Sequence, residues 1–93
     1  GFGGLLMTDD ISMGALTGPV GARTEAALAA GCDVVLHCNG DLDEMRAVAE
    51  AAGEMTGPAA ARAEVALGWR RAPDSIDIAA LEDEFRSLMT GQV

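Results

Sequence analysis

Gly4-Leu5-Leu6-Met7-Thr8-Asp9-Asp10-Ile11-Ser12-Met13-Gly14 runs from an unbroken apolar stretch into two adjacent carboxylates and then a loop of small residues. In a parallel β/α architecture the C-terminal ends of buried strands carry the reactive groups, so this stretch predicts a strand over 4–8 that delivers Asp9 to a site. The same pattern also fits a carboxylate that caps a helix after a buried strand, and residue pattern alone leaves both readings open. Strand alternation puts Leu5, Met7 and Asp9 on one side, with Leu6 and Thr8 on the other.

Working outward, residues 12–21 hold Gly14, Gly18, Pro19 and Gly21 and read as a loop, too rich in Gly and Pro for a long helix. An Ala-rich helix is predicted over 23–30 with Gly31 at its C′ position, followed by a second buried strand over 32–38. Strand, helix and strand form one βαβ unit, with the right-handed crossover such units adopt. Asp41-Leu42-Asp43-Glu44 is a capping box: Asp41 accepts from the amide of Glu44, and the Glu44 side chain reaches back. The helix it opens carries an apolar stripe of Leu42, Met45, Val48, Ala49 and Ala52 and ends near Gly53. Pro58 opens a further helix to about residue 71, with Val65 and Trp69 four residues apart, and Pro73 blocks its continuation. Asp77 caps a last helix with Ile78, Leu81, Phe85 and Leu88 facing inward, and residues 91–93 are expected to fray.

Two strands cannot close a sheet. A complete (β/α)8 barrel takes about 250 residues, so a chain of 93 residues is expected to be about a quarter of such a barrel and a piece of something longer. Fifteen acidic residues against six Arg and no Lys give a net charge of −9, which opposes phosphate backbones and anionic membranes. Nucleic acid and membrane are excluded as expected partners; no apolar run approaches the roughly 20 residues that span a bilayer. Cys32 and Cys38 bracket the second strand, about 20 Å apart if extended, whereas a disulfide needs about 7 Å or less. They read as reduced thiols, in keeping with a reducing compartment. No metal-ligand spacing is present, and no cofactor or metal is expected.

The order of apolar strand, Ser or Thr, Asp, two residues and a small polar residue, here Leu5-Leu6-Met7-Thr8-Asp9-Asp10-Ile11-Ser12, resembles the nucleophile signature of glycoside hydrolase family 3. Glu25-Ala26-Ala27-Leu28-Ala29-Ala30-Gly31-Cys32-Asp33-Val34-Val35-Leu36, then Cys38-Asn39, is similar to the next β/α segment of the bacterial β-N-acetylhexosaminidases of that family. Together the two motifs cover residues 1–39, and the helices beyond match in general character. The resemblance implies an α/β chain that forms the C-terminal part of a TIM (β/α)8 barrel, with the last two β/α units in 1–53 and C-terminal helices in 54–93. It implies a cytoplasmic enzyme that hydrolyses terminal β-linked N-acetylglucosamine, from muropeptides in cell-wall recycling. Its partners would be that carbohydrate substrate and the missing N-terminal part of the barrel.

Carried over by position, the resemblance makes Asp9, directly after Thr8, the nucleophile in place of Asp10. Met13, four residues on, would line the sugar pocket, or else pack as a loop methionine against its own barrel. Members often continue Met-Glu-Gly, whereas Met13 runs straight into Gly14. Retaining hydrolysis needs an ionised carboxylate to form a glycosyl ester, which Asp9 would supply. Asp10 is expected to cap the loop or accept amide hydrogen bonds. The acid/base His of this branch lies in an earlier barrel loop outside these residues. His37, the single histidine, is rejected for that role and reads as a hydrogen-bonded core side chain or one lining the top of the barrel. The isolated chain is therefore expected to be inactive. Two alternatives are a family 3 glycosidase of other specificity, such as a β-glucosidase or xylosidase, and a noncatalytic acidic helical interaction module over 41–91. A divalent-cation site on Asp9 and Asp10 is disfavoured, because neighbouring strand residues point to opposite sides.

Overall fold

The computed structural model describes residues 1–91. Its elements run β1 (Met7–Asp10), α1 (Val20–Ala29), β2 (Val34–Leu36), α2 (Leu42–Ala52), α3 (Gly57–Gly68) and α4 (Ile78–Thr90). The two strands pair in parallel across the α1 crossover, so the expected βαβ unit is present, with α2 packed on α1. The chain is a mixed α/β arrangement of four helices and a two-stranded parallel sheet among the described residues.

Both strands differ from the stretches expected for them. β1 begins three residues late and takes in both aspartates, and β2 has only three residues. Side-chain carboxylates account for the short ladder. At one end Asp33 Oδ2 accepts from the Leu6 amide at 3.0 Å, and at the other Asp10 Oδ1 accepts from the Cys38 amide at 3.1 Å. Each takes a backbone donor that a longer ladder would have paired with a carbonyl.

α1 starts at Val20, three residues before the expected position. The Pro19 carbonyl accepts the first helical bond from Arg23 N at 3.1 Å, so Gly21 falls inside the first turn. A Cβ at Gly21 would sit 3.8 Å from the Ala47 carbonyl and 3.9 Å from Ala51 Cβ, so α1 meets α2 through small residues. Gly31 takes φ +109°, the positive value anticipated after this helix.

The Asp41 cap forms as read, with Oδ1 accepting from Glu44 N at 2.9 Å. The reciprocal half does not, because the Glu44 carboxylate goes to His37 and Asn39 while the Asp41 amide donates to Asn39 Oδ1. α3 carries Pro58 in its first turn and stops at Gly68. Asp77 caps α4, accepting from Ala80 N at 3.0 Å, and Gly91 ends it in the left-handed conformation. The fraying expected over 91–93 falls, beyond Gly91, outside the described residues.

The core is small: Ile11, Val20 and the fully buried Thr24, whose hydroxyl donates to the Val20 carbonyl at 2.8 Å. The Cα radius of gyration is 19.2 Å, against about 12 Å for a compact domain of this length. The accessible surface is 7274 Å², against about 5,000 Å² for a folded monomer of this mass. Much of the excess is apolar. Ile78, Leu81, Phe85 and Leu88 were expected to face inward on α4; all four are exposed, because no described element packs over them. Among the described residues a single ion pair ties α3 to the sheet, Arg62 to the buried Asp33, with Nε–Oδ2 at 2.9 Å and Nη2–Oδ1 at 2.5 Å. A cleft of about 500 Å³ lies between α3 and the start of β1, bordered by Leu5, Met7, Val65 and Trp69.

Candidate functional site

The two aspartates at the end of β1 are held very differently. Asp9 is exposed, and its Oδ1 accepts from the next backbone amide, Asp10 N, at 2.7 Å. Asp10 lies on the opposite, half-buried side. Its carboxylate accepts from the Ser12 amide at 2.9 Å, from the Ser12 hydroxyl at 2.7 Å and from the Cys38 amide. The Ser12 amide and hydroxyl, then the Cys38 amide and the His37 ring, hold the Asp10 carboxyl below its ordinary value. Asp10 is thus a structural acceptor that ties the loop after β1 to the end of β2.

The register between the strands slips by one residue at this point, since Met7 pairs with Val34 while Asp10 pairs with Leu36. The Thr8 hydroxyl oxygen accepts from Leu36 N at 2.9 Å, filling a place that a carbonyl takes in a regular ladder. Such an irregularity re-aims side chains, and it lies directly beside Asp9. Alternation nevertheless survives: Met7 and Asp9 are the exposed residues of β1, Thr8 and Asp10 the half-buried ones.

Asp9 and Met13 border one cleft of about 550 Å³, together with Thr8, Leu16 and Arg23. Its walls are mostly apolar, and Asp9 is the exposed one of the two carboxylates, Asp9 and Asp10, that border it, so it combines an apolar surface with a charged group available to a ligand. Sequence reasoning passed over Arg23. Its guanidinium donates to four carbonyls of the loop between β1 and α1. A lone Arg at a helix start, with no acidic residue at ion-pair spacing, gives no signal of this in the sequence.

At the end of β2, His37 Nε2 and Glu44 Oε2 are 2.9 Å apart, and Asn39 donates to the same Glu44 oxygen. Those two hydrogen bonds, Asn39 first, hold the Glu44 carboxyl below its usual value. The His37 side chain is almost wholly buried, as the core reading required. Burial, then the nearby Asp10 and Asp9 charges, pushes the Cys38 thiol up from its ordinary value. Among the described residues no three His, Cys, Asp or Glu side chains gather as a metal site, and no helix is long and apolar enough to cross a membrane.

A beta-hexosaminidase of Aromatoleum aromaticum is 54% identical over 41 residues, 42% of this chain and 12% of the relative. One from Bordetella pertussis is 48% identical over 48 residues, 48% of this chain and 14% of the relative. One from Xanthomonas campestris is 40% identical over 73 residues, 74% of this chain and 22% of the relative. The chain is related, in part, to bacterial beta-hexosaminidases. It spans less than a quarter of the length of these relatives. No family model matches the chain, and no solved structure matches it.

Proposed function

We propose that this chain is the C-terminal part of the catalytic barrel of a glycoside hydrolase family 3 β-N-acetylhexosaminidase, with Asp9 as the nucleophile of a retaining mechanism. The observation that carries the reading is the contrast between neighbouring carboxylates. Both border the same cleft, but Asp10 is saturated by hydrogen bonds, while Asp9 stands exposed at the end of a parallel strand. The similarity to bacterial beta-hexosaminidases supports the choice of chemistry.

In this reading Asp9 attacks the anomeric carbon, the C–O bond to the aglycone breaks, and the leaving oxygen takes a proton from an acid outside this chain. Water, deprotonated by the same group, then cleaves the glycosyl ester and regenerates the Asp9 carboxylate. The Asp10 amide, donating to Asp9 Oδ1, orients the nucleophile. Met13 forms part of the apolar wall against which the sugar packs. The substrate is terminal β-linked N-acetylglucosamine on muropeptides, in cytoplasmic cell-wall recycling. The two β/α units of 1–53 and the helices of 54–93 complete a TIM barrel with the remainder of the protein, and the exposed apolar faces of α3 and α4 are the surfaces that remainder covers. A β-glucosidase or xylosidase of the same family uses the same nucleophile, and the sugar is selected by loops outside these residues.

The noncatalytic interaction-module reading draws on the exposed α4 stripe. Against it, Arg62 on α3 is paired with Asp33 at the start of β2, which favours helices that belong to the sheet's own architecture.

The test is to trap the intermediate in the parent enzyme with a slow, fluorinated N-acetylglucosaminide and to locate the ester by peptide mass spectrometry. The ester is expected on Asp9, and Asp9→Ala should lower turnover by about 10⁴-fold or more. The isolated 93-residue chain should turn over none of a chromogenic substrate. Label on Asp10 or on neither residue would sink the assignment, and turnover by the isolated chain would overturn the reading of the chain as part of a barrel.

A further inference from the structure

We propose that Arg23 is a positioning residue that sets the shape of the Met13 loop and, through it, substrate affinity; this rests on the reading of Asp9 and Met13 just given. Arg23 projects from the first turns of α1 into the loop that leads from β1. Its Nε donates to the Gly18 carbonyl at 2.8 Å. Nη1 donates to the carbonyls of Ile11 at 2.8 Å and Met13 at 3.1 Å, and Nη2 to that of Leu16 at 3.1 Å. Four carbonyls spread over eight residues converge on one cation.

Beyond Ser12, which Asp10 holds, the loop has little else to shape it. Its own backbone bonds are two, a long one from Met13 N to Asp10 O at 3.4 Å and one from Leu16 N to Met13 O at 3.2 Å. The Met13 and Leu16 side chains are each more than a third exposed. Gly14 and Gly18 add backbone freedom. The planar guanidinium offers five N–H donors in a fixed fork, and four are used here; the ammonium of a Lys offers three from one point and cannot span the same carbonyls. Without the guanidinium, the carbonyl dipoles face one another and the loop opens to let water between them.

Asp9 is anchored independently of this arrangement. The Ile11 amide donates to the Leu36 carbonyl at 2.8 Å, and Asp10 ties the strand end to Cys38. Loop shape and nucleophile placement are therefore separable, and removing Arg23 acts on binding ahead of chemistry.

The experiment compares wild-type parent enzyme with Arg23→Lys and Arg23→Ala on a chromogenic N-acetylglucosaminide. KM is expected to rise about tenfold in Arg23→Lys while kcat stays within about threefold. Added ethylguanidine should lower the KM of Arg23→Ala in a dose-dependent way and leave wild type unchanged. Amide hydrogen exchange gives a readout free of activity: the Met13 and Leu16 amides should exchange about tenfold faster in Arg23→Lys, with Ile11 unchanged. Unchanged exchange at Met13 and Leu16 would overturn the proposal, as would a fall in kcat at constant KM or the absence of guanidine rescue. An inactive wild-type protein, or an ester elsewhere than Asp9, would instead overturn the enzymatic reading, and the exchange result would still decide the role of Arg23.

Discussion

The two halves of the chain satisfy their side chains in opposite ways. From β1 to α2 the polar groups close on one another: Asp10 with Ser12 and Cys38, Thr8 with Leu36, Arg23 with its loop, and Glu44 with His37 and Asn39. The core residues Ile11, Val20 and Thr24 lie in this half as well. From α3 to α4 the helices form, α3 with Pro58 in its first turn and α4 between the Asp77 cap and Gly91, yet Val65, Trp69, Ile78, Phe85 and Met89 stay more than half exposed, and Arg62 makes the one side-chain hydrogen-bonded tie to the sheet among the described residues. Local helix formation and tertiary burial are thus separate events. Caps and propensity suffice to build α3 and α4, whereas stability from their apolar faces requires a surface to cover them.

The comparison can be broken most directly by truncating one large apolar residue in each half. Ile11 is 3% exposed, and Ile11→Ala should cost about 2–5 kcal/mol through lost burial and a residual cavity. Urea unfolding followed by circular dichroism measures it, and a cost under about 1 kcal/mol would show that the first half is as loosely packed as the second.

An intermediate effect is expected from acid. Arg62, then the Leu6 amide, hold the Asp33 carboxyl below its ordinary 3.8, Ser12 does so for Asp10, and Asn39 and His37 hold Glu44 below 4.5. With folded-state values below the unfolded ones, the unfolded chain binds more protons as pH falls. The stability these carboxylates supply is complete above their unfolded values and is lost as pH drops through the folded ones. An acid titration monitored by amide exchange should therefore release the Leu6, Ser12 and Cys38 amides while the interior of α4 holds its protection. Simultaneous loss in α4 would show that the halves are coupled more tightly than one ion pair allows.

The smallest effect sharpens the contrast. Phe85→Ala in the isolated chain should change stability by no more than about 0.5 kcal/mol, because Phe85 is 65% exposed. In the parent protein, if the α4 face is covered, the same substitution should cost about 3–5 kcal/mol. Equal costs in the two settings would remove the argument that α3 and α4 await a covering surface.

Much of the local structure was legible because its causes are local. Asp41 and Asp77 cap the helices that follow them, Gly31 and Gly53 take positive φ where helices end, and the strand–helix–strand order follows from apolar runs separated by an Ala-rich segment. Strand alternation placed Asp9 and Asp10 on opposite faces, and Asp10 does accept the amide hydrogen bonds expected of it. Other features depend on groups distant in sequence. Asp33 reads as a polar interruption until Arg62, 29 residues away, and the Leu6 amide, 27 away, close on it. Glu44 was free to complete its capping box, but His37 and Asn39 on the preceding loop are stronger claims on its carboxylate.

Sequence alone told which segments become helices and strands, where most of the helices stop, and that two neighbouring carboxylates lie on opposite faces of β1. These depend on backbone propensity, capping and alternation, whose range is a few residues. Tertiary structure alone decided the lengths of β1 and β2, the register slip beside Asp9, and the gathering of four loop carbonyls on Arg23. Those outcomes depend on which donor meets which acceptor when distant segments come together, a competition that periodicity does not encode.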